Sequence, residues 1–223
     1  MQIRNEILKG QKLLKIYFRL ISLDIFNLYK LFNLYKWYKL NKFSPPSPPF
    51  VKRQVLLRHG IKNSTWIETG TFKGETTKFL AKNFPLIHTI EPSKELLIRA
   101  KSKLSNFKNI IFHNGTSEEC FETACNSVKG DVSFWLDGHF SSGNTFKAVI
   151  STPIKHELNV IQNKLKDFSN LVVIIDDLRC SYRENSDYPE LDFYVNWAKS
   201  NNLIWYIEHD IFIMKSKDKT FFT

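Results

Sequence analysis

Cysteine is scarce in this chain. There are three, Cys120, Cys125 and Cys180, with no Cys-x-x-Cys pair and no Cys/His spacing of a metal site. A disulfide framework is thereby excluded, and small buried thiols in a reducing, cytoplasmic setting are expected. The sequons Asn63-Ser64-Thr65 and Asn114-Gly115-Thr116 carry no weight in that setting. No uninterrupted apolar run approaches the ~20 residues of a membrane span. The basic N-terminus lacks the apolar stretch and small-residue cleavage site of a secretory signal. No internal repeat is visible.

What is present is a globular composition, with 43% hydrophobic and 14% aromatic residues in 223. That length suffices for one domain with a real core and a short appendage. The formal net charge is +10, unevenly spread. Residues 1–43 hold nine Lys/Arg against Glu6 and Asp24, so most of the excess lies in the first fifth of the chain. Residues 9–34 read as a helix. Lys9, Lys12, Lys15, Arg19 and Lys30 fall on one face, and Leu13, Leu14, Tyr17, Phe18, Ile21, Ile25, Leu28, Tyr29 and Phe32 on the other. Such a helix suits peripheral contact with an anionic membrane, or packing on the domain or a second copy, the latter favoured slightly. No nucleic-acid motif accompanies the charge, so no nucleic-acid partner is expected. SPPSPP within residues 44–50 marks a proline linker, and residues 51–223 form the main domain.

After the linker, β-rich runs alternate with helical ones. Strands are predicted at 64–68, 87–91, 109–113, 132–137 and 171–176, followed by an antiparallel pair, LIWYIE and IFIMK, around His209-Asp210. Helices are predicted from Thr76 to Asn83, after a Ser93 cap, from near Ser117, from Thr152-Pro153 to Asp167, and from Pro189 to Ser200. The reading is an α/β fold: a doubly wound, Rossmann-like, mostly parallel seven-stranded sheet with a C-terminal antiparallel hairpin, preceded by the N-terminal amphipathic helix.

In such a sheet ligands sit at the carboxyl ends of the strands. The first turn reads WIETGTFKGETT. It is not the Gly-x-Gly-x-x-Gly of a dinucleotide site, and no Gly-Lys-Ser/Thr of a phosphate-binding loop follows. Glu68 there would repel a phosphate. A carboxylate suits a ligand with positive charge and no phosphate, and S-adenosylmethionine, with its ammonium and sulfonium, is one.

Glu-x-Gly-x-x-x-Gly-x-Thr, residues 68–76, resembles motif I of the class I S-adenosylmethionine-dependent methyltransferases, especially the O-methyltransferase branch. The resemblance runs from about residue 60 to the C-terminus. It implies cofactor contacts at Glu68, Thr69, Gly70, Thr71, Gly74 and Thr76. It implies a ribose-binding acid at Glu91, since a carboxylate matches a vicinal diol. Glu91 could otherwise serve the dipole of the next helix. Thr116 and Ser117 fall where the family places a small polar residue near adenine, and Ser117 could equally be a helix cap.

WLDGHF ends the fourth strand and IIDDLR the fifth, so Asp137, Asp176 and Asp177 should meet on one rim. Like charges so close call for compensation, and a divalent cation supplies it. The metal-dependent O-methyltransferases look similar, which implies Asp137, Asp176 and Asp177 as ligands of Mg²⁺ or another hard ion. Asp137 would also belong to the cofactor and catalytic sets. His139 is the candidate general base and Lys147 a weaker one. Residues 138–151 and 178–188 are expected to cover an acceptor pocket, where Arg179, Tyr182 and Arg183 could meet an anionic or sugar acceptor.

The resulting expectation is methyl transfer to a hydroxyl of a small molecule or sugar, helped by a divalent metal. Two alternatives stand beside it. One is a metal-dependent hydrolase or hydroxylase-like enzyme on the same rim. The other is a non-catalytic member that binds nucleotide or a partner.

Overall fold

A computed structural model describes residues 28, 29, 31–138, 152–182 and 187–217. The chain divides into two units, Met1–Phe50 and Val51–Thr223.

In the first unit, residues 31–39 are helical, so the N-terminal helix continues past its expected end at residue 34. Its basic and apolar faces over residues 9–27 lie outside the described residues. The Trp37 indole N–H donates to the Ser44 carbonyl at 2.9 Å, and its ring meets Phe43 edge-on. Among the described residues, no helix is long and apolar enough to cross a membrane.

From Pro49 onward the elements alternate as the periodicity demands. They are α1 (Pro49–His59), β1 (Thr65–Thr69), α2 (Glu75–Asn83), β2 (Leu86–Glu91), α3 (Lys94–Lys103), β3 (Ile110–Asn114), α4 (Ser117–Asn126) and β4 (Gly130–Leu136). Then come α5 (Ile154–Lys164), β5 (Phe168–Ile175), α6 (Leu191–Ser200), β6 (Leu203–Glu208) and β7 (Ile211–Ser216). The seven strands form one sheet in the order β3-β2-β1-β4-β5-β7-β6. The first five run parallel, and β7 is antiparallel to both β5 and β6. Strand order reverses between β1 and β4, which makes the crevice beyond their carboxyl ends the switch point of this Rossmann-like sheet.

Successive strand residues face opposite layers. On one face Ile67, Phe134 and Val173 pack with Phe121 of α4, Leu158 and Ile161 of α5, and Tyr194 of α6. On the other, Trp66, Trp135 and Ile174 pack with Val55 and Leu56 of α1 and Leu80 of α2. Each such large side chain contributes roughly 2–3 kcal/mol by leaving water. The near-unbroken burial of Leu171–Ile175 is that of a parallel strand covered on both sides.

Two details differ from expectation, and a third matches it. Helix α1 was not foreseen, and it begins inside the proline segment because Pro49 takes a first-turn position, where a missing N–H costs nothing. Helix α5 starts at Ile154, with Pro153 rather than Thr152 at its cap, and tightens into a 3₁₀ turn over Leu165–Asp167. The β6–β7 turn places both His209 and Asp210 at positive φ, the twist a two-residue hairpin needs.

Candidate functional site

The Gly-rich turn leaves β1 at Thr69 and hangs on the tip of β2. The N–H groups of Gly70 and Thr71 both donate to the Ile90 carbonyl, at 3.0 and 3.2 Å. Phe72 N–H donates to Glu91 Oε2 at 2.7 Å, and Ser93 N–H donates to Glu91 Oε1 at 2.9 Å. Glu91 therefore holds the turn and the start of α3 with one lone pair from each oxygen. A carboxylate offers about four acceptor sites, so a vicinal diol can still be accepted. Phe72 sits at φ 46°, a left-handed conformation for a large residue, with its ring exposed at the turn. Such strain collects at ligand-binding turns.

Glu68 does not face the crevice. It is fully buried beneath the turn, and its Oε2 accepts from Thr77 Oγ1 at 2.6 Å and Thr89 Oγ1 at 2.7 Å. The Thr89 proton is spent on Glu68, so Thr71 Oγ1, 2.5 Å from Thr89 Oγ1, is the donor between those two hydroxyls. The chain of bonds ties β1, β2, α2 and the turn together from below. Direct cofactor contact by Glu68 is thus corrected to a supporting role. Thr69 is buried as well, while Gly70 and Thr76 are half-buried.

Burial, opposed only by the two threonine hydroxyls, pushes the Glu68 carboxyl up to about 8. Glu157 on α5 is raised to about 7, again by burial, with Ser117 Oγ donating to its Oε1 at 2.7 Å. An acid whose folded value is raised keeps its proton in the native state and not in the unfolded one. Its stability contribution is full at low pH and is lost as pH rises, here from the usual 4.5 towards 8. The loss attributable to Glu68 reaches on the order of 3 kcal/mol near neutrality. Urea unfolding from about pH 5.5 to about pH 8 should show the wild type losing stability, with the slope flattened in Glu68→Gln. An unchanged slope in the variant would remove Glu68 from that account.

At the tip of β3, Thr116 is the N-cap of α4 in a capping box with Glu119. Ser117 is spent on Glu157. Both side chains expected near adenine thus have structural tasks, with the cap falling at Thr116, one residue before Ser117.

The fourth and fifth strand tips converge as expected. Asp137, Asp176 and Asp177 offer oxygens within 4.8 Å of one another. Asp137 is held against β1, its N–H donating to the Thr69 carbonyl at 3.3 Å. The charges placed on this rim were not foreseen. Lys52 of α1 is ion-paired with Asp176 Oδ2, and its Nζ lies 3.3 Å from Asp177 Oδ1. Arg179 reaches the same Asp177 oxygen at 2.5 Å and pairs with Asp210 of the β6–β7 turn. Asp176 Oδ1 accepts the Asp177 N–H at 2.9 Å. Arg179, read as a substrate contact, is a counter-charge instead. Tyr182 is exposed, and His139, Lys147 and Arg183 lie outside the described residues.

Burial, with Asp137 beside it, pushes the Asp176 carboxyl up to about 7 in spite of Lys52. Burial also works against the Lys52 charge, but Asp176, Asp177 and Asp137 outweigh it and hold the ammonium above its ordinary range. The rim thus combines a permanent ammonium with a carboxyl that can exchange a proton near neutrality.

No protein-family model matches the chain. A curated relative is ribosomal RNA small subunit methyltransferase A of Caldanaerobacter subterraneus, 26% identical over 157 residues, 68% of this chain. The chain spans about half the length of that relative, 54%. Among solved structures, a candidate methyltransferase from Streptococcus mutans in complex with SAH superposes with a TM-score of 0.50 at 19% identity, covering 77% of this chain and 98% of its own. A candidate rRNA methylase from Clostridium thermocellum gives 0.51 at 13% identity, covering 77% and 97%. The chain therefore has the class I S-adenosylmethionine-dependent methyltransferase fold. The expectation of no nucleic-acid partner is overturned by these relatives, two of which carry ribosomal RNA in their names. A basic chain needs no recognisable RNA motif to be related to RNA-modifying enzymes.

Proposed function

We propose that the chain is an S-adenosylmethionine-dependent methyltransferase, with residues 51–223 as the catalytic unit, residues 44–50 as linker and residues 1–43 as a basic extension. The observation that carries this reading is the clamp at the switch point. Glu91 holds the turn at Phe72 while keeping acceptor capacity for a ribose, and Asp137, just past the end of β4, lies with its backbone against Gly70. The residues fit the cofactor. Gly70, Thr71 and Phe72 offer a turn without phosphate-binding geometry, and the crevice is acidic, as a cationic ligand prefers. Bound S-adenosylmethionine supplies an electrophilic methyl group on sulfur. The chain's own contribution is to align the acceptor and take its proton.

The acceptor reading favoured by the rim is a hydroxyl of a small molecule or sugar. Of the three rim carboxylates Asp137 is the one that is not buried, so it is the one that can meet an acceptor hydroxyl. The second reading is an RNA base. It is favoured by the curated relative and by the net charge of +10, which suits a phosphate backbone. A divalent metal does not fit the rim as it stands, because Lys52, Arg179 and the Asp177 N–H already engage Asp176 Oδ1, Asp176 Oδ2 and Asp177 Oδ1. The metal-dependent hydrolase alternative loses its basis for the same reason.

Calorimetric titration with S-adenosylmethionine, with and without Mg²⁺, tests the reading. Roughly micromolar binding is expected under both conditions. Methyl transfer from labelled cofactor to sugar hydroxyls or to ribosomal RNA then separates the two acceptors. Absence of binding in both titrations would leave the fold without this function.

A further inference from the structure

We infer that Lys52 is the resident cation of the strand-tip rim and stands where a divalent metal would otherwise sit. It acts as a positioning residue for Asp176 and Asp177. Only the use made of the rim rests on the methyltransferase reading. The placement of the cation does not.

The sequence of α1 aims Lys52 at the rim. Lys52, Val55 and Leu56 are three and four residues apart and share one helix face. Val55 and Leu56 are fully buried against Val172 and Ile174, the strand whose tip carries Asp176. That packing fixes the rotation of the helix, and the lysine stem extends along the same face to the carboxylates. An ammonium has three N–H groups, of which Asp176 and Asp177 account for two. The third can meet an acceptor oxygen, which gives the rim a donor.

A hard dication takes six or more oxygens, several of them from carboxylates. At this rim both Asp176 oxygens and Asp177 Oδ1 are committed to Lys52, to Arg179 and to a backbone N–H. A dication entering among them would meet an ammonium a few ångströms away in a poorly screened site. Either Lys52 leaves or the metal stays out. Its contacts with two carboxylates, which outweigh the cost of its partial burial, favour Lys52 staying.

The test is Mn²⁺ binding to the full chain, read from the free-ion electron paramagnetic resonance signal. The samples are wild type, Lys52→Met, and Lys52→Met combined with Asp176→Asn. Wild type should bind Mn²⁺ weakly. Lys52→Met should bind it roughly tenfold tighter or more, because the carboxylates lose their competitor. The double variant should lose that gain. Binding by wild type as tight as by Lys52→Met would overturn the inference, as would a folded Lys52→Met with no gain. If Lys52→Met does not fold, wild type against Asp176→Asn decides alone: tight Mn²⁺ binding that depends on Asp176 would overturn the inference, and its absence would support it. S-adenosylmethionine titrated into the same wild-type sample reports separately on the function, so the two ideas can fail independently.

Discussion

Gly70→Ala protein should melt roughly 10 °C below wild type and should not bind S-adenosylmethionine. Two costs add. Gly70 has φ +88°, a left-handed conformation that costs an L-residue about 1–2 kcal/mol. A Cβ there would also lie 2.6 Å from the Asp137 carbonyl oxygen and 3.1 Å from its carbonyl carbon. The clash is with backbone, so no side chain can swing aside. The tips of β1 and β4 would have to part, and with them the two sides of the crevice. Overpacking of this kind adds about 1–3 kcal/mol. Differential scanning fluorimetry gives the first quantity and calorimetry the second. An unchanged melting temperature would show that the tips yield freely and that the close approach has no energetic weight.

Glu91→Ala is expected to weaken cofactor binding at least about thirtyfold, with a smaller loss of stability. The substitution removes the acceptor of the Phe72 and Ser93 N–H groups and the proposed ribose contact at once. Hydrogen bonds to charged groups are worth about 1.5–3 kcal/mol each, and part of that is spent on ordering the turn for its ligand. Glu91→Gln is the informative companion. Its single carbonyl oxygen can still serve one N–H, while its amide would point a donor at the other. An intermediate affinity is expected. If Glu91→Ala binds as tightly as wild type, the crevice beyond the tips of β1 and β4 is not the cofactor site.

Much of the architecture was legible because the two periodicities differ. WIET and VVII, short and β-branched, read as strands of a covered sheet, and the charge-and-leucine spacing of KELLIRAKSK reads as a helix. The register of parallel strands then fixes where their tips lie, and so Gly70, Glu91, Asp137 and Asp176 were found on one side. What escaped reading depends on tertiary neighbours. Residues 49–59 show no clear apolar stripe, because Val55 and Leu56 alone carry the packing, so the helix and the lysine on it were missed. Pro49, the last residue of SPPSPP, was the signal that could have found it. Glu68 looked like a ligand contact from its place before a glycine, and only the Thr77 and Thr89 hydroxyls reveal that it points down. Thr116 and Ser117 are one residue apart and chemically alike, so which one caps α4 is decided by Glu119 and Glu157.

The rim also has a consequence for how the chain becomes functional. Its charges come from opposite ends of the second unit: Lys52 from the first helix, Asp210 from the turn of the last hairpin. Contacts so far apart in sequence form late, because a long stretch of chain must be ordered before they are rewarded. During synthesis the parallel strands could pair while β7 is still being made, but Arg179 would then lack Asp210. The last hairpin works as a keystone, and a chain stopped short of it would have a sheet without a finished site.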